Sequence, residues 1–252
     1  MKVFVFISML LLLIACNNND KDPATIGTTP SAPVSPANNP HNAYYPANQM
    51  ILDGISLLRD GDLVVRNNQD FASQLIREFN KTDKSYTHGG IVIVENGYPM
   101  VYHIVAGSEN PDEKLRKDSL VSFCNPRKNF GFAIYRYQLA PAELSAFKQS
   151  ILDWYTQGLK FDMDFDLQTD DKMYCSEMIY KGLKKATNNK IMLGMTEPTM
   201  EEIKLYLQHT HSKRPVDKLA KMKFITTDNL YLNPMCRLVK KYSFQPAADS
   251  VK

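Results

Sequence analysis

Asn96-Gly97, set between two apolar segments, is the strongest short-range turn signal in the chain. Asn-Gly accepts the two consecutive positive φ angles of a type I′ turn, whose twist matches that of the strands it joins. Residues 88–105, HGGIVIVENGYPMVYHIV, are therefore expected to form a β-hairpin. With Asn96 and Gly97 at its tip, Glu95 faces Tyr98, Val94 faces Pro99, Val92 faces Val101, Gly90 faces His103 and His88 faces Val105. Side chains alternate with period two, so His88, Gly90, Val92, Val101 and His103 share one face. His88 and His103 are then diagonal neighbours within reach of two imidazoles, and Gly90 leaves a gap over the His103 ring. Two histidines so placed read either as a structural pair sharing a hydrogen bond or as part of a site.

The rest of the domain supplies the frame. GDLVVR (residues 61–66) reads as a strand, and residues 68–80 as a helix with Phe71, Leu75, Ile76 and Phe79 on one side. Residues 115–123 read as a short helix and Phe132 to Gln138 as another strand. Residues 141–158 form a helix opened by Pro141 and Glu143 and closed by Gly158. Tyr174 to Ala186, 199–207 and 226–232 read as further helices, and 236–244 as a last strand. Strands mostly together, with helices before and after, imply an α+β fold with a small, mainly antiparallel sheet.

The N-terminus reads as a targeting segment. MKVFVFISMLLLLIAC carries Lys2 and then an uncharged apolar run from Val3 to Ala15, shorter than the roughly 20 residues a spanning helix needs. That is the form of a secretory signal, here residues 1–15. Leu13-Ile14-Ala15-Cys16 resembles a bacterial lipobox, in which Cys16 is acylated and anchors the mature chain to a membrane; a plain signal peptide or a retained anchor is the alternative. Asn17, rather than Asp, after the cysteine favours the outer membrane. Residues 16–49 hold six of the fourteen prolines among Asn, Thr, Ser and Ala, a composition that buries too little apolar surface to order itself and reads as a tether. The folded domain is then expected over 50–245, with a frayed tail over 246–252. A formal charge of +3 with scattered lysines gives no support to nucleic-acid binding.

With Cys16 lipidated, Cys124, Cys175 and Cys236 remain, and an odd count in an exported protein leaves at least one free thiol. Cys175 stands out. It falls in the first turn of the 174–186 helix, on the stripe of Met178, Ile179, Gly182, Leu183 and Ala186, with Asp170 and Asp171 as candidate caps. A thiol there points toward the sheet and sits at the positive end of the helix dipole, which lowers its pKa. The bland alternative is a core thiol, the usual fate of a cysteine on an apolar stripe. The sharper reading joins Cys175 as nucleophile to His88 as base, with His103 orienting the base and the Cys175 N–H in an oxyanion hole.

GDLVV, YTHGGIVI, PMVYHI and KFDMDF…DDKMYCSEMIYKGL resemble the YiiX-like branch of the NlpC-type papain-like cysteine hydrolases. These are circularly permuted, so that the histidine precedes the cysteine, as His88 precedes Cys175. The resemblance covers Gly61 to Ala186 and implies a permuted papain-like fold, Cys175 as nucleophile, His88 as base and no cofactor. Many relatives carry a glutamate where this chain has His103, which leaves Glu177 as a fallback orienter or simply a first-turn acid. Tyr174 and Gly89 flank the two reacting groups and are candidate cleft residues. The implied substrates are amide bonds of cell-wall peptides, or lipid-like acyl compounds in a hydrolase or acyltransferase reaction.

Other readings compete. Cys175, His88 and His103 could supply a Cys-His₂ metal set with an open position, though the papain-like order argues for none. Asp162, Asp164 and Asp166 open like a calcium loop, but Leu167 and Met173 stand where its glycine and glutamate belong. His209 and His211 read as a solvated loop. A tethered, non-catalytic module that binds cell-wall peptide or lipid is the remaining alternative.

Overall fold

The structure, a computed structural model, describes residues 45–209 and 214–244. The expected signal segment, Cys16, most of the tether, His211 and the 246–252 tail lie outside the described residues. Six strands form one sheet: β1 (Asp62–Asn68), β2 (His88–Glu95), β3 (Tyr98–His103), β4 (Arg116–Ser119), β5 (Asn129–Tyr137) and β6 (Cys236–Ser243). Their order is β4-β3-β2-β1-β5-β6, and every neighbouring pair is antiparallel. Helices α1 (Tyr45–Leu57), α2 (Phe71–Arg77), α3 (Leu120–Phe123), α4 (Pro141–Gln157), α5 (Cys175–Ala186), α6 (Met200–His209), α7 (Val216–Leu219) and α8 (Thr227–Tyr231) complete the α+β architecture.

The hairpin has the expected register. Asn96 and Gly97 take φ of 50° and 85°, and Glu95 pairs with Tyr98, Val94 with Pro99 and Val92 with Val101. The β2–β3 ladder ends at Ile91–Tyr102, short of the expected pairs Gly90–His103 and His88–Val105; on the outer edges of the two strands His88 pairs with Arg66 of β1 and His103 with Arg116 of β4. The period-two alternation divides the core. Leu63, Val65, Ile91, Ile93 and Tyr102 face Phe147 and Ile151 of α4, Met178, Ile179 and Leu183 of α5, and Leu230 of α8. Val64, Val92, Val101, Phe132 and Ile134 face Ile51 of α1 and Leu120 and Phe123 of α3.

Several elements differ from expectation. Residues 115–123 are not one helix; Arg116–Ser119 is a short edge strand, and only Leu120–Phe123 is helical, with the Ser119 hydroxyl accepting the Ser122 N–H. Four polar residues on an edge strand show no apolar period. The folded part also begins earlier than residue 50, because Tyr45–Leu57 is helical and buries Ala47 and Ile51. Pro46 suits the first turn of a helix, whose N–H groups have no intrahelical acceptor. His209 closes α6 rather than lying in a loop, its ring edge-on to Phe71 at 5.0 Å. Among the described residues, no helix is long and apolar enough to cross a membrane.

Candidate functional site

Local sequence starts α5 at Cys175. Tyr174 is extended (φ −88°, ψ 171°), and its N–H is accepted by Glu177 Oε2 at 3.2 Å. Asp170 does not cap as expected; it pairs with Lys181 at 2.7 Å, and Tyr174 occupies the cap position. Buried Glu177 pairs with Lys181 at 2.8 Å, and burial pushes its carboxyl up to about 7 against the pull of that lysine. Glu177 is thus a first-turn acid holding the helix start, and its hydrogen bonds go to neither histidine. Tyr174 is buried and accepts the Ile225 N–H on its hydroxyl at 2.8 Å, tying the α5 start to the segment before α8.

Cys175 itself is partly exposed. Burial of the sulfur pushes its thiol up, while hydrogen bonds from the Ser176 hydroxyl and from the backbone N–H groups of Ser176, Gly89 and Cys175 pull it down without cancelling the rise. The expected low-pKa thiolate is therefore corrected: desolvation outweighs the helix N-terminus. Cys124 is fully buried and Cys236 half-buried, and all three thiols are free.

On the hairpin, His88 Nε2 lies 3.0 Å from His103 Nδ1. His103 Nε2 lies 2.9 Å from Asp118 Oδ2, and Asp118 Oδ1 accepts from Arg116 at 2.8 Å. Phe123 packs against both imidazoles, with centroids at 5.7 and 4.8 Å. The fully buried Arg66 lies over the Phe123 ring, 4.5 Å from its centroid, and donates to the Phe123 carbonyl and to Glu109. Burial, then Arg66 and His103, hold His88 well below the usual imidazole range. Burial also lowers His103, helped by Arg66 and Arg116 and opposed by Asp118. Burial would raise the Asp118 carboxyl, but hydrogen bonds from His103 and Arg116 overcome it and hold it at about 2. At neutral pH the site therefore carries two neutral rings on an ionised carboxylate.

The structure joins His88 to His103 as the register implied. It brings Cys175 to the Gly89 N–H, one residue from His88, and forms no hydrogen bond from the sulfur to either imidazole. The reason lies in the pleat. The His88 side chain lies with Val64 and Val92, whereas Cys175 packs with the Leu63–Ile91 core on the other face. Gly89 is the step between them, and an added Cβ there would meet Leu230 at 3.2 Å and Leu63 at 3.4 Å. A Cys-His₂ metal set does not assemble, since the facing nitrogens bind each other and Asp118; among the described residues no three His, Cys, Asp or Glu side chains are placed to hold a metal. Asp162 is buried and accepts the N–H groups of Asp164 and Asp166 at 2.8 and 2.6 Å, folding its own loop ahead of Cys175.

Asp118, Arg116 and Arg66 are absent from the sequence-based site. Asp118 sits opposite Val101 and so shares the histidine face, a placement the register shows once Arg116–Ser119 is known to be a strand.

Among known proteins, the family model of permuted papain-like amidase enzymes, YaeF/YiiX, C92 family, matches residues 57–239. A solved structure, the metalloprotein yiiX from Escherichia coli O157:H7, is similar in fold, with a TM-score of 0.59 and 16% sequence identity over 73% of this chain and 98% of that one. No curated protein matches the sequence.

Proposed function

The chain belongs to the permuted papain-like amidase family and is by that membership a papain-like cysteine hydrolase; on that premise we propose that it cleaves an amide bond of a cell-wall peptide, from a lipid anchor at the bacterial cell envelope. The observation that carries the reading is that the Cys175 sulfur meets the hairpin at the Gly89 N–H, one residue along the strand from His88, whose ring is held by His103 at 3.0 Å.

In this mechanism Cys175 attacks the scissile carbonyl while His88 takes the thiol proton. Its Nε2 is engaged by His103, so the proton goes to Nδ1. The sulfur makes no hydrogen bond to His88 in the free protein, and the mechanism requires one to form in the Michaelis complex. A raised thiol and a lowered imidazole favour proton transfer during attack over a standing thiolate–imidazolium pair. The carbonyl oxygen gains negative charge as the C–S bond forms, and the N–H groups of Cys175 and Gly89 are the donors proposed to hold it. His88 then gives its proton to the leaving amine as the C–N bond breaks, leaving a thioester. Water attacks the thioester with His88 again as base, the C–S bond breaks, and the acid product leaves with the thiol restored.

Turnover of peptide amides and acyl esters by Cys175→Ala and His88→Ala tests the proposal. The first change is expected to abolish turnover and the second to lower kcat by roughly 10²–10⁴-fold. Full turnover in Cys175→Ala would overturn it. Retention of ligand without turnover in the unaltered chain would favour a tethered binding module, and turnover confined to acyl esters would move the substrate to the lipid-like class. Cys16→Ser is expected to abolish incorporation of a labelled fatty acid and release the chain from membranes.

A further inference from the structure

We propose that Asp118 is a positioning residue of this site, fixing through His103 which nitrogen of His88 is free to take a proton. The proposal rests on the reading of His88 as the base. A carboxylate only accepts hydrogen bonds, and Asp118 already accepts from Arg116 at 2.8 Å. The hydrogen on its 2.9 Å bond to His103 therefore belongs to His103 Nε2. A neutral imidazole carries one N–H, so His103 Nδ1 is an acceptor. The 3.0 Å bond between the rings must then be donated by His88 Nε2. That leaves the lone pair of His88 on Nδ1, the nitrogen outside the chain of bonds. One carboxylate thus orders two tautomers.

The surroundings make this dependence strong. The charged and titratable groups facing His103 are Asp118 and Arg116 from β4, Arg66 from β1 and His88 from β2, with Glu109 behind Arg66. Both arginines disfavour a proton on the ring, and Asp118 alone favours it. When His88 receives the thiol proton, the positive charge forms one hydrogen bond from His103 and two from Asp118. The fold holds the carboxylate rigidly: Asp118 pairs with Val101 in the sheet, and Arg116 is itself fixed to the Glu109 carbonyl at 2.7 Å.

The test is the ring-nitrogen NMR spectrum of the full chain, with kcat and KM, for the unaltered protein, Asp118→Asn, Asp118→Glu and Arg116→Gln. In the unaltered protein both His88 and His103 are expected as Nε2–H tautomers. An amide can donate as well as accept, so Asp118→Asn is expected to give mixed or reversed tautomers and a kcat lower by roughly 10²–10⁴-fold with KM nearly unchanged. Asp118→Glu is expected to recover part of both. Arg116→Gln keeps the carboxylate and is expected to keep both Nε2–H tautomers, which separates the role of Asp118 from that of its arginine partner; should Asp118→Asn fail to fold, the tautomers of the unaltered protein decide. Folded Asp118→Asn with unchanged tautomers and kcat would overturn the assignment, as would Nδ1–H tautomers in the unaltered chain. Tautomers that follow Asp118 in a chain without turnover would instead sink the hydrolase reading.

Discussion

At Cys175 two effects of opposite sign meet, and their balance decides the chemistry. The helix start and three N–H groups favour a thiolate, but burial of the sulfur favours the thiol and wins. Alkylation of Cys175 in substrate-free protein should therefore rise only above the free-thiol value of about 8.5. Burial pushes the Cys236 thiol up to about 12 and Cys124 is enclosed, so among the three cysteines of the described residues labelling should be confined to Cys175. Fast labelling at pH 6 would instead reveal a standing ion pair. Two residues on, Glu177 titrates near neutrality, and the sign of its effect follows from its raised value. The folded state holds that proton more tightly than the unfolded state, so stability rises as pH falls from about 7 toward 4.5 and is least when the buried carboxylate is ionised. Glu177→Gln should be more stable than the unaltered protein at pH 8, by up to about 3 kcal/mol, and converge with it near pH 4. Urea unfolding at the two pH values measures this; a pH-independent difference would refute it.

The hairpin is the element on which the site depends, and its tightest point is Gly90. A Cβ there would lie 2.6 Å from Val101 Cγ1, 3.0 Å from the Tyr102 carbonyl oxygen and 3.1 Å from His103 Cβ. Neither the carbonyl nor the His103 stem can swing aside, so the strands must part. Gly90→Ala should cost about 1–3 kcal/mol in urea unfolding and alter the His103 ring resonances; an unchanged spectrum would count against close packing of the ring. The hairpin was legible because its turn, its alternation and its two histidines are coded within eighteen consecutive residues. β4 was not, because Arg116, Lys117, Asp118 and Ser119 carry no apolar alternation and become a strand only by pairing with β3. The missing strand hid Asp118, the far end of the hydrogen-bonded chain.

At the scale of the molecule, the two faces of the sheet hold the two halves of the site, and each needs its own cover. The cysteine face is closed by α4, α5 and α8, and the histidine face by α1 and α3. α1 is tied down by Ile51 in that core and by Tyr242, which donates to Asp53 at 2.6 Å. Removal of residues 1–57 should expose the histidine face and lower Tm sharply compared with removal of residues 1–44. Ile51→Ala alone should cost about 2–5 kcal/mol. Equal melting of both truncations would show that α1 contributes nothing. The composition of residues 16–49 concealed this helix, since Pro46 and the asparagines around it read as tether until Ile51 finds its core.

By itself the sequence determined the hairpin, its register from Glu95–Tyr98 to Val92–Val101, the placing of His88 and His103 as neighbours on one face, and the helix that carries Cys175 in its first turn. These follow from short-range rules, a turn dipeptide, a period of two and a period of 3.6, which act within one segment. Only the tertiary structure decided that Asp118 stands behind His103, that Arg66 and burial keep both rings neutral, and that the thiol meets the hairpin at Gly89 from the opposite face. Those outcomes depend on which segments pair and on how much water is excluded between them, and neither quantity is carried by any one stretch of chain.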